Sequence, residues 1–367
     1  MLASFTAAAQ QFNDPTYFHV GLHGAEPAQI VTGDFNRDGN LDLAVADTLR
    51  GGVALLAGNG DGTFQVAKHL MVSSPYALAV ADVNGDGNPD LLVQQYGQSG
   101  NLFVYLGRGD GTFRMNRAYT IGHFPIALAV GDLNGDGKLD VVVASSNSDR
   151  KAPGYITVFS GNGDGTFTRN GQYSAGRSPW GVAIGDLNGD GHPDIVVSSD
   201  NAYNVNDPNT LFVLLNDGNG SFTNAGVYQT GTESLHTSIA DLNHDGKPDL
   251  VVASAFNQGI QVLMGNGDGT FAAPIFYSTG SFGQAPMQTV VADFNADGNL
   301  DIAFIAYVGG VGIFYGNGDG TFQPLVSTPT TEGGESIVMG DFNKDGRPDI
   351  SISAFGAAAA GVMLNAQ

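Results

Sequence analysis

A nine-residue stretch, Asp-x-Asn-x-Asp-Gly-x-x-Asp, occurs seven times in this chain and limits what it can fold into more than any other feature. In the first copy, Asp34, Asn36, Asp38, Asn40 and Asp42 stand at positions 1, 3, 5, 7 and 9. The second has Asp82, Asn84, Asp86, Asn88 and Asp90, and the third Asp132, Asn134, Asp136, Lys138 and Asp140. The fourth has Asp186, Asn188, Asp190, His192 and Asp194, and the fifth Asp241, Asn243, Asp245, Lys247 and Asp249. Asp293, Asn295, Asp297, Asn299 and Asp301 form the sixth, and Asp341, Asn343, Asp345, Arg347 and Asp349 the seventh. The pattern looks like a calcium loop. Ca²⁺ is a hard cation that takes about six to eight oxygens from carboxylates, amides, backbone carbonyls and water. Positions 1, 3 and 5 can turn their side chains to one point. The Gly at position 6 tolerates the positive φ of a sharp turn. Position 7 would then offer its backbone carbonyl, and the Asp at position 9 closes the cage. A metal-free Asp/Asn/Gly turn is the plain alternative. Seven complete copies weigh against it, because clustered unpaired carboxylates are costly.

The loop is not an EF-hand, which runs twelve residues, ends in Glu and sits between helices. Its flanks here are short apolar runs such as Ala127–Val130 and Val141–Val143, which read as strands. From loop to loop the steps are 48, 50, 54, 55, 52 and 48 residues. Each period holds two turn signals and four candidate strands, with no helical period anywhere. Repetition of this kind predicts one all-β domain over residues 1–367: a seven-bladed β-propeller with four antiparallel strands per blade. A second turn, Gly-x-Gly-Asp-Gly-x-Phe or a close variant, ends at Phe64, Phe113, Phe167, Phe222, Phe271 and Phe322. The seventh period stops before its own, but Gln11-Phe12 followed by Tyr17-Phe18-His19-Val20 resembles the missing piece. The N-terminal strand is therefore expected to close the last blade and remove the open edge at the seam.

Net charge is −22 and there are no cysteines. Most of the acid sits in the loops, where seven divalent ions would cancel well over half of the excess. The acidity argues against nucleic acid as a partner. The lack of Cys removes disulfides, Cys zinc sites and thiol nucleophiles. No apolar run approaches the ~20 residues of a membrane helix, so no membrane insertion is expected. Met1 to Phe12 shows no signal-peptide pattern; a mature chain with its leader removed would look the same.

In an antiparallel blade the Asp loop and the second turn fall on one face. The loops joining strands 2–3 and 4–1 fall on the other, the open face, and there the repeats differ. Variable loops on a rigid scaffold usually carry function. All four Glu (Glu26, Glu233, Glu332, Glu335) and the single Trp, Trp180, lie in 4–1 loops. Tyr76, Ile126, Trp180, Leu235, Met287 and Glu335 start the inner strands and should surround the channel mouth. Arg177, His123 and His236 are close by, and Arg150, Lys151 and Tyr203 sit in long 2–3 loops. The candidate ligand set is thus Trp180, Tyr76, Arg177, His123, His236, Glu26, Glu233 and Glu335, which suits a neutral or acidic saccharide stacked on an aromatic plate. Equally, Trp180 and Tyr76 could simply pack between blades. Arg108-Gly109-Asp110 spells an adhesion tripeptide but occupies a second turn.

On these residues the chain resembles the FG-GAP/VCBS repeat family, the calcium-loop propellers that include integrin α-chain heads and fungal and bacterial lectins. The resemblance covers Phe12 to Asn365. It implies a seven-bladed propeller holding about seven Ca²⁺ at positions 1, 3, 5, 7 and 9 of the loops. The literal Phe-Gly and Gly-Ala-Pro ends are mostly absent, Phe282-Gly283 being one remnant, and all seven loops are intact. Both departures lead away from a receptor head and toward a secreted or cell-surface binding protein. The functions open at this stage are a lectin or adhesin, a protein-interaction propeller, and a polysaccharide lyase or hydrolase working on the open face. Against an enzyme, no pair of acids recurs at fixed spacing outside the turns.

A ligand bound only by the folded state stabilises it by about 2.7 kcal/mol per site at a hundredfold excess over Kd. Exhaustive chelation should therefore lower Tm substantially. Ca²⁺ should restore it and Mg²⁺ should do so poorly, since Mg²⁺ demands tighter octahedral geometry. A melting curve unmoved by EDTA would remove the metal from the fold.

Overall fold

The computed structural model describes residues 12–21, 25–49, 52–147, 152–200, 210–231, 233–255, 257–280, 284–330 and 333–366. Gln11, Arg150, Lys151, Tyr203, Glu332 and Phe282-Gly283, singled out above, lie outside them. The described residues form strands and no helix.

Each Asp loop is followed by a strand that starts on its ninth residue: Asp42–Asp47, Asp90–Gln95, Asp140–Ser146, Asp194–Ser199, Asp249–Ser254, Asp301–Val308 and Asp349–Ala354. These strands are buried over nearly their whole length. That is why they read as unbroken runs such as Val141-Val142-Val143 rather than alternating: a neighbouring sheet covers each face. Pairing is antiparallel throughout and gives five four-stranded sheets and one seven-stranded sheet. The larger sheet is two four-stranded units sharing one long strand, Phe113–Gly131. On one side Thr120 and Gly122 face Asn101 and Gly100; on the other His123 and Pro125 face Ser146 and Ser145. Positive φ at Gly122 and Phe124 (111° and 44°) turns the chain between them. A 4–1 loop was expected there, and pairing has consumed it. The described sheets thus resolve into seven four-stranded units.

The last unit is completed from the other end of the chain, as expected. Thr16–His19 pairs with Ala359–Met363, Tyr17 opposite Gly361, and Phe12 bridges to Asn365. Between units, the side chain at loop position 2 is buried, from Phe35 and Val83 to Phe342. The Phe ending the next unit's second turn packs edge-on against it: Phe113 on Phe35 at 5.5 Å, Phe64 on Phe342 at 5.8 Å and Phe12 on Phe294 at 5.7 Å. Outer-strand tyrosines add a second contact across the same joints, as in Tyr173–Phe222 at 5.4 Å and Tyr228–Phe271 at 5.7 Å. Phe18 plays that part at the seam, 5.3 Å from Phe64. Each such pair contributes about 0.5–1.5 kcal/mol beyond its buried area.

Removing residues 1–19 would strip the outer strand from Ala359–Met363 and take away both seam phenylalanines. The truncated chain should melt far below the parent and associate through the bared edge. A truncation as stable and monodisperse as the full chain would show that the N-terminal strand does not hold the ring.

Candidate functional site

The ninth loop residue does something the spacing did not reveal. Asp42 accepts the backbone N–H of Phe35 with one carboxylate oxygen, at 2.9 Å, and that of Gly58 with the other, at 2.8 Å. The first donor is loop position 2; the second opens the unit's second turn. Asp90, Asp140, Asp194, Asp249, Asp301 and Asp349 repeat both bonds, all within 2.7–3.0 Å. All seven carboxylates are almost fully buried. Burial is the largest influence on them. It pushes Asp42, Asp90, Asp301 and Asp349 up to about 6, against the lowering effect of their two N–H bonds. Repulsion from the carboxylates at positions 5 and 1 pushes the same way.

Positions 1, 3 and 5 shape the turn itself. Asp34 accepts the N–H groups of Asp38 and Gly39, Asn36 Oδ1 also accepts that of Asp38, and Asp38 accepts that of Asn40. The other six loops repeat the scheme. Where position 7 is basic it leans on position 5: Lys138 on Asp136 at 3.8 Å, Lys247 on Asp245 at 3.7 Å, Arg347 on Asp345 at 3.6 Å. Among the described residues no three acidic, His or Cys side chains already meet as an ion cage. The donors are all hard oxygens, and the clustered carboxylates repel one another, a repulsion that the N–H bonds and ion pairs offset in part. A carboxylate oxygen that accepts one N–H keeps a lone pair free. The set therefore fits Ca²⁺ in kind. The Arg108-Gly109-Asp110 segment is an ordinary second turn, with Asp110 accepting Thr112 N–H and Oγ1 as Asp164 does with Thr166.

On the open face, inner strands begin with a β-bulge. Pro75 pairs with Gln95 and Ala77 with Gln94, leaving Tyr76 as the extra residue. Ile126, Trp180 and Met287 are extra in the same way, and Ala28 and Leu235 lie within the equivalent irregularities. A bulge re-aims a side chain. Here it sends Ala28, Tyr76, Ile126, Trp180, Leu235, Met287 and, from the last unit, Glu335 into one cavity of about 110 Å³. One residue from each of seven units in a single cavity places it on the ring's axis, as the recurrent Pro suggested.

Two larger cavities open beside it and share Tyr76. One, of about 210 Å³, adds Tyr96, Ser146, Ser178 and Asp200 to Ile126 and Trp180. The other is a cleft of about 610 Å³ walled by Glu26, Leu49, Tyr76, Tyr96, Tyr307, Glu335 and Phe355. Sequence reading missed Tyr96, Tyr307 and Phe355. Each stands six residues after a loop's ninth position, as do Thr48, Ser146 and Asp200. That register was the available signal. Tyr76 and Tyr96 lie 5.4 Å apart, Tyr307 and Phe355 5.5 Å.

Tyr76 Oη donates to Glu335 Oε2 at 3.4 Å. Burial first, and Glu26 next door, push Glu335 up to about 7, against the lowering effect of that bond. A carboxyl raised on folding favours the fold while protonated, so this contribution is lost as pH rises through about 7. His236 lines the axial cavity and is pushed down to about 4 by burial; it is a neutral polar group beside Thr289 and Gln288. The expected ligand residues therefore divide. Tyr76, Glu335 and Glu26 share the cleft; Tyr76, Trp180, His236 and Glu335 share the axial cavity. Arg177, His123 and Glu233 line none of the three. His123 instead bonds the Gln98 carbonyl, and Glu233 is raised to about 7 by burial and by Asp200.

Known proteins agree with this architecture. The FG-GAP-like repeat matches residues 34–93, 82–143, 132–197, 200–252, 241–304 and 293–352. Cartilage acidic protein 1 of Mus musculus is 32% identical over 37% of this chain, and the match spans 21% of that protein's length. Among solved structures, BBS1N, in a complex with ARL6DN, superposes with a TM-score of 0.67 at 14% identity, covering 98% of each chain. Sqt1 of Saccharomyces cerevisiae gives 0.61 at 9% identity, over 97% of this chain and 99% of that one. An Agrocybe aegerita lectin specific for non-reducing terminal N-acetylglucosamine gives 0.56 at 21% identity, over 93% and 85%. The molecule is a β-propeller. It belongs to the FG-GAP-like repeat family.

In EDTA, Asp140→Ala should orphan two buried N–H groups at about 1–3 kcal/mol each. Asp136→Ala, at an exposed position 5, should cost well under that. Urea unfolding of the two variants checks this, and equal stabilities would show that position 9 is not the anchor.

Proposed function

We propose that this protein is a calcium-stabilised extracellular carbohydrate-binding protein that seats its ligand on the open face. The observation that carries the reading is the cleft of about 610 Å³ with Tyr76, Tyr96, Tyr307 and Phe355 on its walls and Glu26 and Glu335 beside them. A sugar needs an apolar ring to lie against and planar acceptors for its hydroxyls, and pockets of this size suit small ligands. Trp180 and the axial cavity extend the surface from the shared wall of Tyr76. That an N-acetylglucosamine-specific lectin shares the fold supports the reading without deciding it, since fold does not fix function.

Calcium would be held in each loop by the side chains at positions 1, 3 and 5, the backbone oxygen at position 7 and the carboxylate at position 9. It would supply the positive charge that the clustered carboxylates lack. Extracellular calcium modules work at about 10⁻⁴–10⁻³ M, which suits a secreted or surface setting. No helix among the described residues is long and apolar enough to cross a membrane. A protein partner is the second reading. It is favoured by exposed Leu49, Tyr307 and Val308 on the same face, and by the neighbour solved with a protein bound.

A glycan array with and without calcium tests the proposal. Positive glycans should lose about 1–3 kcal/mol of binding to Trp180→Ala and to Tyr96→Ala, in line with the loss of a buried aromatic contact. Metal content should stay that of the parent. Unchanged binding by both variants, or a ligand seated on the Asp-loop face, would overturn it.

A further inference from the structure

We propose that the open-face cleft is a site for an organic ammonium group, so that the saccharide it holds carries a free amine. This rests on the carbohydrate reading for the sugar and on the cleft alone for the cation. Four aromatic side chains, Tyr76, Tyr96, Tyr307 and Phe355, come to it from three different blades, and Glu26 and Glu335 join them. Ring faces carry negative electrostatic potential and attract cations within about 6 Å of the centroid, most strongly where water is excluded. Two acidic side chains in the same cleft add to that potential, and an incoming cation favours the ionised form of each.

Among the described residues the lining of the cleft contains no Lys, Arg or His. The Glu335 carboxyl accepts the Tyr76 hydroxyl at 3.4 Å, and Glu26 repels it. A half-buried acid held beside a like charge gains most from an incoming cation. Of the basic candidates read from the sequence, Arg177 and His123 line none of the cavities that share Tyr76, and His236 lines the axial cavity but not the cleft. An acidic sugar would therefore meet repulsion in the cleft. A bare metal ion would use the carboxylates but not the rings. An alkylated or sugar-borne ammonium uses both, and its apolar carbons suit Leu49 at the rim.

Calorimetry on the full calcium-loaded chain at physiological ionic strength separates the possibilities. The probes are a glucosamine oligomer, the N-acetylated oligomer of equal length, and tetramethylammonium chloride. The amine oligomer should bind at least tenfold more tightly than its acetylated counterpart, and tetramethylammonium should compete with it. Glu335→Gln keeps the shape and removes the charge; Tyr96→Ala keeps the net charge and removes a ring. Each should weaken both cationic probes about tenfold, and the second excludes diffuse attraction to an acidic protein. If the acetylated oligomer binds as well and tetramethylammonium fails to compete, the ammonium site falls while the carbohydrate reading stands. Tetramethylammonium binding that needs Tyr96 and Glu335, with no glycan bound, would keep the cation site and overturn the carbohydrate reading. If no probe binds, the site is not one for cations.

Discussion

The structure depends on a buried carboxylate that accepts two backbone N–H groups. At each ninth loop position one aspartate ties the Asp loop, through position 2, to the second turn of the same blade. The position-2 residue is then fully committed. Its N–H goes to the carboxylate and its side chain is buried between blades. Its carbonyl accepts from the next blade where Gly111 N–H meets the Phe35 oxygen, Gly165 meets Val83, and Gly62 meets Phe342 across the seam. Asn216 and Asn365 make the same reach with their side-chain amides, to Leu133 and Phe294. Neutral hydrogen bonds would do this less well, because bonds to an ionised acceptor are about twice as strong.

This arrangement also explains the glycines of the second turn. Gly62 has φ 83°, and a Cβ there would lie 2.7 Å from Leu364 of the neighbouring blade. The turn must approach that closely for its N–H to reach across. The Asp face is consequently uniform because every blade needs the same clasp. The widest variation falls at the opposite ends of the strands, where no such bond is required and where the three cavities open.

The buried aspartates are costly on their own. Burial and the carboxylates at positions 1 and 5 both work against their charge. The N–H bonds offset part of this, and a cation in the loop is the natural complement of the rest. Metal binding and blade assembly would then be coupled through one residue. Chelation should be felt first at the joints between blades, not only within the loops.

The repeat, its period, the four strands per unit and the N-terminal closure were all legible in the sequence. Each follows from local turn chemistry and from apolar runs that only a covered strand can tolerate. The axial ring was legible too, because a Pro marks the start of most inner strands. The double role of Asp42 and its equivalents was hidden, since a side chain that bonds a turn sixteen residues away leaves no local pattern. Tyr96, Tyr307 and Phe355 were hidden for a related reason: each looks like a strand-end residue until the ring brings consecutive blades side by side. Arg177 and His123 line none of the three cavities that Tyr76 lines, although all three residues lie near inner-strand starts. Spacing along a chain determines which residues share a strand. Only the curvature of the ring decides which strands share a cleft.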